Sequence, residues 1–525
     1  MSYLPVVTVL TVVSAPASLH RTFASLESQT SRRWQWVVAV APGTAPATAA
    51  EVDEIAARDP RVSPVRSAGT TDAEHLAAAL AQARGTYVAV VEPGDMLAQD
   101  ALEVVADAAS PDSWVYTDEG TVAPDGGLLE AWLKPGYSPE LLRSQPYAVA
   151  LAVLPTAAVH DVGGVDPSTG SAGWYDLVLR VSERSGAPAH VPGTYYHRDA
   201  RAWPAEPPYV VGAAADRCRV VAEHCARVGI DAVSVSPVEV DGRPVGQRVV
   251  RRSRGERVSV VVPTRGGASV VHGFTRVHVV ELVRGLWAAD RYPDLELVVV
   301  HDAETPAPVL AEIEQITGGD WVSVPFQGEF DFSRKCNLGA AAATGEVLCF
   351  LNDDTQVRSA GWLHELTSLL DADDVGLVGA RLLFADGTLQ HAGVYAHEGI
   401  PTHVLFRAAA DTLELGGLAQ LTGERLAVTA ACQVVRADTF RRLGGFSPAL
   451  PLNFNDVDLC LKARAAGLRN LYTPYATLDH YESQTRVPTV TDREVATLRR
   501  RWSVGLDEDP YVNPLARRPP PAGGA

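Results

Sequence analysis

Lysine is almost missing from this chain: among 525 residues it occurs only at 134, 335 and 462, and the other basic residues are arginine. That bias reads as genome composition rather than function. Clustered basic charge is scarce as well. With 63 acidic against 45 basic residues the formal charge is −18, which argues against a nucleic-acid partner, because affinity for a polyanion comes from grouped Lys and Arg. The one basic run, Arg248 to Arg257, reads as a solvated segment between domains. The six cysteines (218, 225, 336, 349, 432 and 460) form no CxxC pair and no zinc-type spacing, so reduced structural thiols in a cytoplasmic protein are expected. No apolar run reaches the roughly 18–20 residues of a membrane span. Leu4 to Val13 lacks the basic lead and cleavage site of a signal peptide. A soluble protein is expected, with peripheral attachment at the inner face of the cell membrane left open.

What is present is ordinary globular material, 46% hydrophobic and 21% charged, in a length that favours two or more domains. Within it, GEVLCFLNDDTQV (345–357) has an apolar run, short enough for a strand buried on both faces, that ends in Asn352, Asp353 and Asp354. Crowded carboxylates repel unless a positive charge sits between them. A structural reading competes: Asn352 and Asp353 terminate the strand and Asp354 caps the helix suggested by WLHELTSLL. GTYVAVVEPGDML (85–97) opens in the same way and loses the acidic pair.

The echo belongs to a long repeat. An offset of 260 sets Gly85 on Gly345 and Trp36-Val37-Val38 on Glu296-Leu297-Val298. An offset of 282 sets YDLVLRVSERSG at 175 on VDLCLKARAAG at 457, with Asp176 on Asp458. A repeat this long is a duplicated domain. Each copy opens on a β-branched run and alternates apolar runs with helix-compatible stretches, which predicts α/β domains with a mainly parallel, Rossmann-like sheet and helices on both faces. The expected organisation is residues 1–235, a linker over 236–256 rich in Gly, Pro and Arg, a second domain over 257–512, and a disordered Pro- and Gly-rich tail over 513–525. A helix is expected over 211–229. In such sheets ligands bind beyond the carboxyl ends of the strands, where the NDD triplet lies.

Downstream, NFNDVDLCLKARAAG (453–467) places Asn455, Asp456 and Asp458 at the start of a helix. Capping and the helix dipole account for one of these acids and leave the other for chemistry. LDHYESQTR (478–486) adds His480; a lone His after an apolar strand is ordinarily a satisfied packing partner.

The ordered set VSVVVPTR, FDFSRKCNLGAAAATGEVLCFLNDDTQV, LFADGTLQHAGV, TAACQVVRADTFRRLGGF, FNDVDLCLKARAAG and DHYESQTR resembles the GT-A catalytic domain of family 2 glycosyltransferases. The likeness covers about residues 257–512 and is greatest to bacterial rhamnosyl- and galactofuranosyltransferases of cell-wall and surface polysaccharide assembly. The resemblance implies an inverting, metal-dependent transfer of a sugar from a nucleotide-diphosphate donor to a glycan or lipid-linked glycan acceptor. It implies Mg2+ or Mn2+ held by Asp354 and His480. Thr264, Asp302 and Asn337 fall at the nucleotide, with Asn352 and Asp353 beside it, and Asp456 falls at the catalytic base. Asn352 and Asn455 replace acids of the family pattern, and His301 stands where relatives commonly have an acid. Trp502, in RRRW, resembles part of a motif of processive synthases, but Leu498 replaces its Gln, so transfer of one or a few sugars is expected.

The first half resembles the same family over about residues 5–230 without its site: Glu92, Pro93 and Gly94 stand against the NDD triplet, Pro42 against Asp302, Ala77 against Asn337 and Trp174 against Asp456. A degenerate, noncatalytic domain is expected there, with Asp95 hydrogen-bonding its own backbone in an EPGD turn. Two rivals stand beside the enzyme reading. One is a noncatalytic carbohydrate-binding scaffold, favoured if Asp354 and Asp456 lie far apart. The other is a nucleotidyltransferase, for which the basic Gly-rich phosphate loop is lacking.

Overall fold

A computed structural model describes residues 5–123, 126–200, 212–271, 274–287, 291–481 and 490–516. The strands Val258–Thr264 and Val347–Leu351 are buried at every residue, as continuous apolar runs become when helices cover both faces of a sheet. Alternate residues of these strands face different cores. Val261, Leu348 and Phe350 pack with the helices Phe332–Ala342 and Asn455–Ala465. Val260, Val262, Cys349 and Leu351 pack with His278–Leu286 and Trp362–Leu369. Gly339 lets the helix Phe332–Ala342 lie close on the sheet, because a Cβ there would overlap the Val261 side chain.

The sheet order in the second unit is Val322–Phe326, Leu295–Asp302, Val258–Thr264, Val347–Leu351, Cys432–Arg436, Val375–Leu383, Arg469–His480, Thr355–Val357. The first four strands are parallel, and the antiparallel Cys432–Arg436 then turns the sheet into its mixed half. The first unit repeats that order from Val62–Arg66 through Val7–Val13 and Tyr87–Val90 to Met96–Leu97, so the duplication seen in sequence is a duplication of topology. The first unit runs to Val249 and also takes in Leu415–Gly417 and the segment from Val512; the second is Val250–Glu414 with Leu418–Tyr511.

Two expectations need correction. Most of the expected linker is a β-hairpin, Ala232–Val240 with Arg243–Arg251. Asp241 and Gly242 between the strands both have positive φ, 50° and 75°, as an Asp-Gly hairpin turn requires; their composition had read as flexibility. The hairpin is tied into the first unit where Gln247 Nε2 donates to the Tyr175 hydroxyl at 2.9 Å. The expected tail starts inside the protein: Asn513 is 4% exposed, and its Nδ2 donates to both Asp118 oxygens and to the Lys134 carbonyl, each at 2.9 Å. Residues 517–525 lie outside the described residues. The helix expected over 211–229 spans Ala214–Arg227, and Val211 is outside the described set. Among the described residues no disulfide is formed, and no helix is long and apolar enough to cross a membrane.

The first unit carries its charge inside. Glu119 is 1% exposed; Lys134 Nζ lies 3.1 Å from it and Arg198 bonds its other oxygen. Burial opposes ionisation of Glu119, but the two cations outweigh it and hold the carboxyl below its ordinary range. Glu119→Gln strands two buried cations, so we expect a loss of about 3–5 kcal/mol, read as a lower urea midpoint for the first unit. Because the folded-state pKa is depressed, this stabilisation is present above the unfolded-state value and fades as pH falls through the folded one. The difference between wild type and variant therefore narrows in acid.

Candidate functional site

The carboxyl ends of three parallel strands meet at one edge of the second sheet. Thr264 pairs with His301, and Val261 with Phe350, so the triplet after Leu351 comes to rest beside Thr264. The Thr264 hydroxyl donates to Asp353 Oδ2 at 2.5 Å. A cleft of about 710 Å³ opens there, lined among others by Thr264, Asn352, Asp353, Asp354, Asp456 and His480. The acid of the triplet and the acid of the distant helix thus share one cavity, which the scaffold alternative does not need.

His480 reaches the triplet through strand pairing: Thr355 lies opposite it in the antiparallel ladder between Thr355–Val357 and Arg469–His480. Its Nδ1 donates to Gln390 Oε1 at 2.5 Å, which directs Nε2 at Asp354 Oδ1, 3.0 Å away. In a neutral ring that Nε2 carries a lone pair facing a carboxylate, an arrangement that calls for a proton or a cation between them. Asp353 is driven above the ordinary carboxylate range, first by burial and then by Asp354. Burial acts on Asp354 in the same direction, but His480 and then His278 overcome it and hold Asp354 low. Among the described residues, Asn352 Oδ1 is buried without a hydrogen-bond partner. Among the described residues no group of three or more His, Cys, Asp or Glu side chains converges as a metal cage.

His278 was not singled out in the sequence. It is 5% exposed, opens the helix His278–Leu286, and has no hydrogen-bond partner at Nε2 among the described residues. Its only sequence signal is its place at the start of the helix that follows the first strand of the copy.

The structure separates the two acids of the FNDVD motif. Two positions on a helix lie about 200° apart, so Asp456 and Asp458 face opposite ways. Asp458 is buried and occupied: Lys462 at 3.0 Å, Arg501 at 2.9 Å and the Trp502 indole N–H at 2.8 Å. Its counterpart Asp176 makes the same i,i+4 pair with Arg180 at 2.6 Å, so this acid serves the scaffold in both copies. Asp456 lines the cleft; its Oδ2 accepts from the Ala430 N–H at 3.1 Å and its Oδ1 from the Val457 N–H at 2.8 Å. Neither acid is the cap residue expected, since Phe454 holds that position in a left-handed conformation with φ 58°.

Asn337 does not reach the cleft wall. Its amide donates to the Phe446 carbonyl at 2.8 Å and accepts from the Phe446 N–H at 2.9 Å, so both polar ends are spent on the backbone after Gly444-Gly445. Asp302 ends its strand paired with Lys335 at 2.5 Å and Arg265 at 3.6 Å. Lys335 also donates to the Thr264 carbonyl at 2.6 Å. His301 turns inward, bonded to the Asp302 carbonyl and Ser323. Residues 482–486 of the final motif lie outside the described set. In the first unit, Trp174 donates to the Val149 carbonyl at 3.1 Å. Asp95 spends its carboxylate on the Tyr196 hydroxyl at 2.7 Å and the Asp199 N–H at 3.0 Å rather than on its own turn.

Residues 254–505 match the family model described as glycosyltransferase like family 2. The second unit is a family 2 glycosyltransferase domain. The whole chain is similar to the O-antigen biosynthesis protein RfbC of Myxococcus xanthus, 32% identical over 533 residues, which covers 98% of this chain and 40% of that protein. It is also similar to the uncharacterized protein y4gI of Sinorhizobium fredii, 32% identical over 527 residues, 95% of this chain and 56% of that protein. The chain thus spans about half the length of the curated relatives it matches. A crystal structure of GalNAc-T7 with UDP, GalNAc and Mn2+ aligns over 49% of each chain at 14% identity and TM-score 0.38.

Proposed function

We propose that the family 2 domain transfers a sugar, with inversion, from a nucleoside-diphosphate donor to a hydroxyl of a glycan or lipid-linked glycan during polysaccharide assembly. The observation that carries the reading is that Asp354, His480 and Asp456 open onto one cleft in the second copy, while the first copy has Gly94 and Trp174 in place of Asp354 and Asp456. The name of the RfbC relative supports the polysaccharide context.

A divalent cation fits the donor set. Asp354 Oδ1 and His480 Nε2 are 3.0 Å apart, about the separation of two ligands at right angles around an ion with bonds near 2.1 Å. A site with only two protein ligands suits Mg2+ or Mn2+, whose other positions go to water and phosphate oxygens. When bound, such an ion supplies Lewis-acid neutralisation of the departing diphosphate. Asp353, tied to Thr264, borders the donor, and Asn352 Oδ1 offers it an unused acceptor. Asp302 and Thr264, held by Lys335, border the nucleoside end. Asp456 takes the proton of the acceptor hydroxyl as that oxygen attacks the anomeric carbon from the face opposite the leaving group. Its two backbone N–H bonds aim the carboxylate, so positioning supplies much of the rate. For Asn337 the role we favour is holding the Gly444-Gly445-Phe446 turn rather than the nucleotide. The cysteine spacing, with no CxxC pair, favours a cytoplasmic reaction, with peripheral membrane attachment for a lipid-linked acceptor.

The test is a panel of nucleotide sugars followed by thermal shift with and without Mn2+, then by analysis of the product from the best donor. The reading expects a metal-dependent shift and release of a nucleoside diphosphate; release of pyrophosphate would mark a nucleotidyltransferase instead. The first unit is expected to catalyse nothing, so Gly94→Asp and Trp174→Ala leave the reaction type unchanged. Residual transfer in an Asp354→Ala, Asp456→Asn double variant, lost only on deleting the first domain, would contradict that.

A further inference from the structure

We propose that Glu494 is a positioning residue for Asp456, holding the loop that carries the base from a helix that touches no reacting atom. The inference rests on the reading of Asp456 as the base. Glu494 lies in the first turn of the helix Asp492–Asp507 and makes a capping box with Thr491. A capping box needs only one carboxylate oxygen for the N-cap residue. Here Oε2 accepts from the Thr491 hydroxyl at 2.9 Å and from the Asn453 side-chain amide at 2.8 Å. Oε1 is turned wholly outward, accepting the backbone N–H groups of Leu452 at 3.2 Å and Asn453 at 2.8 Å. The residue is 3% exposed, so water does not compete for these bonds.

The loop it grips needs gripping. Phe454 follows directly, with φ 58°, a left-handed conformation that an aromatic residue adopts only when its surroundings impose it. That residue sets the direction in which the helix Asn455–Ala465 starts, and hence where the Asp456 carboxylate points. Leu452, Asn453, Phe454 and Asp456 all line the cleft, so a loop that relaxed would move both the base and the wall against which an acceptor lies. The same helix grips again farther along. It departs from helical dihedrals at Trp502, and there Trp502 and Arg501 bond Asp458. Asp456 is therefore bracketed by bonds to one helix at Asn453 and at Asp458, which gives the RRRW stretch a structural use in this chain.

The experiment uses the full chain, the nucleotide sugar selected by the thermal-shift panel and an alkyl glycoside acceptor. Glu494→Gln keeps shape and an N-cap acceptor but replaces one oxygen with a donor. We expect kcat to fall at least tenfold, while donor KM stays within twofold and the melting temperature within a few degrees. In an Asp456→Asn background the same change should cost less than twofold, because there is no base left to misplace. Asn453→Ala removes one of the bonds and leaves the helix cap intact; it should lower kcat several-fold, and it decides the matter if Glu494→Gln does not fold. A kcat within twofold of wild type in the folded variant, or equal losses in both backgrounds, overturns the inference. If Asp456→Asn itself keeps its turnover, the base assignment fails; if it collapses while Glu494→Gln and Asn453→Ala do not, only the positioning role fails.

Discussion

Asp456→Asn should reduce turnover by about 10²- to 10⁴-fold, the usual range for losing a general base, with donor binding nearly unchanged. The substitution is almost isosteric. Asp456 serves the Ala430 N–H with Oδ2 and the Val457 N–H with Oδ1; asparagine keeps one of these bonds and loses the other, so the helix start should survive with a modest loss of stability. What disappears is the proton acceptor. The kinetic signature is a fall in kcat and kcat/KM together, with the metal-dependent nucleotide shift retained. Near-normal turnover would mean that the carboxylate only braces the loop. Asp458→Asn is the control: its carboxylate is spent on Lys462, Arg501 and Trp502, so its loss should show in stability before it shows in chemistry.

Asp354→Ala should abolish Mn2+-dependent nucleotide binding while the chain stays folded. A nucleotide at about a hundred times its Kd stabilises the native state by about 2.7 kcal/mol, and that gain should vanish in the variant at every metal concentration where wild type shows it. The apo protein need not suffer. Asp353 is driven up partly by its neighbour's charge, so removing Asp354 relieves a repulsion as it removes the His480 contact. Calorimetric titration with nucleoside diphosphate, with Mn2+ and with chelator, separates the two effects. Retained metal-dependent binding would move the metal site elsewhere.

Sequence alone carried the local and repetitive features. The β-branched run over 257–265 and the apolar run over 347–351 read as strands of a mainly parallel sheet, and the acids at the end of one of them fell where such sheets bind ligands. The duplication, and the loss of Asp354 and Asp456 equivalents from the first copy, were also legible, since they depend on residue identity at matched positions. Tertiary structure decided what depends on partners distant in sequence. Asp456 and Asp458 are alike in sequence, and only the packing of the helix Asp492–Asp507 shows which is occupied. Asn337 fits a binding motif, yet both ends of its amide close on Phe446. His278 had only its place at a helix start until the fold set its charge to act on Asp354. The hairpin over 232–251 and the buried Asn513 sit in stretches whose Gly, Pro and polar content reads as loose chain, and what orders them is contact with residues distant in sequence, Tyr175 for Gln247 and Asp118 for Asn513. The three lysines make the same point. Composition left them as remnants of an arginine-rich chain, but Lys134 and Lys335 are fully buried and Lys462 partly so, and each faces a carboxylate: Glu119, Asp302 and Asp458. A compact ammonium can serve a narrow pocket that a planar guanidinium would not fit, and a pocket exists only once the chain has folded.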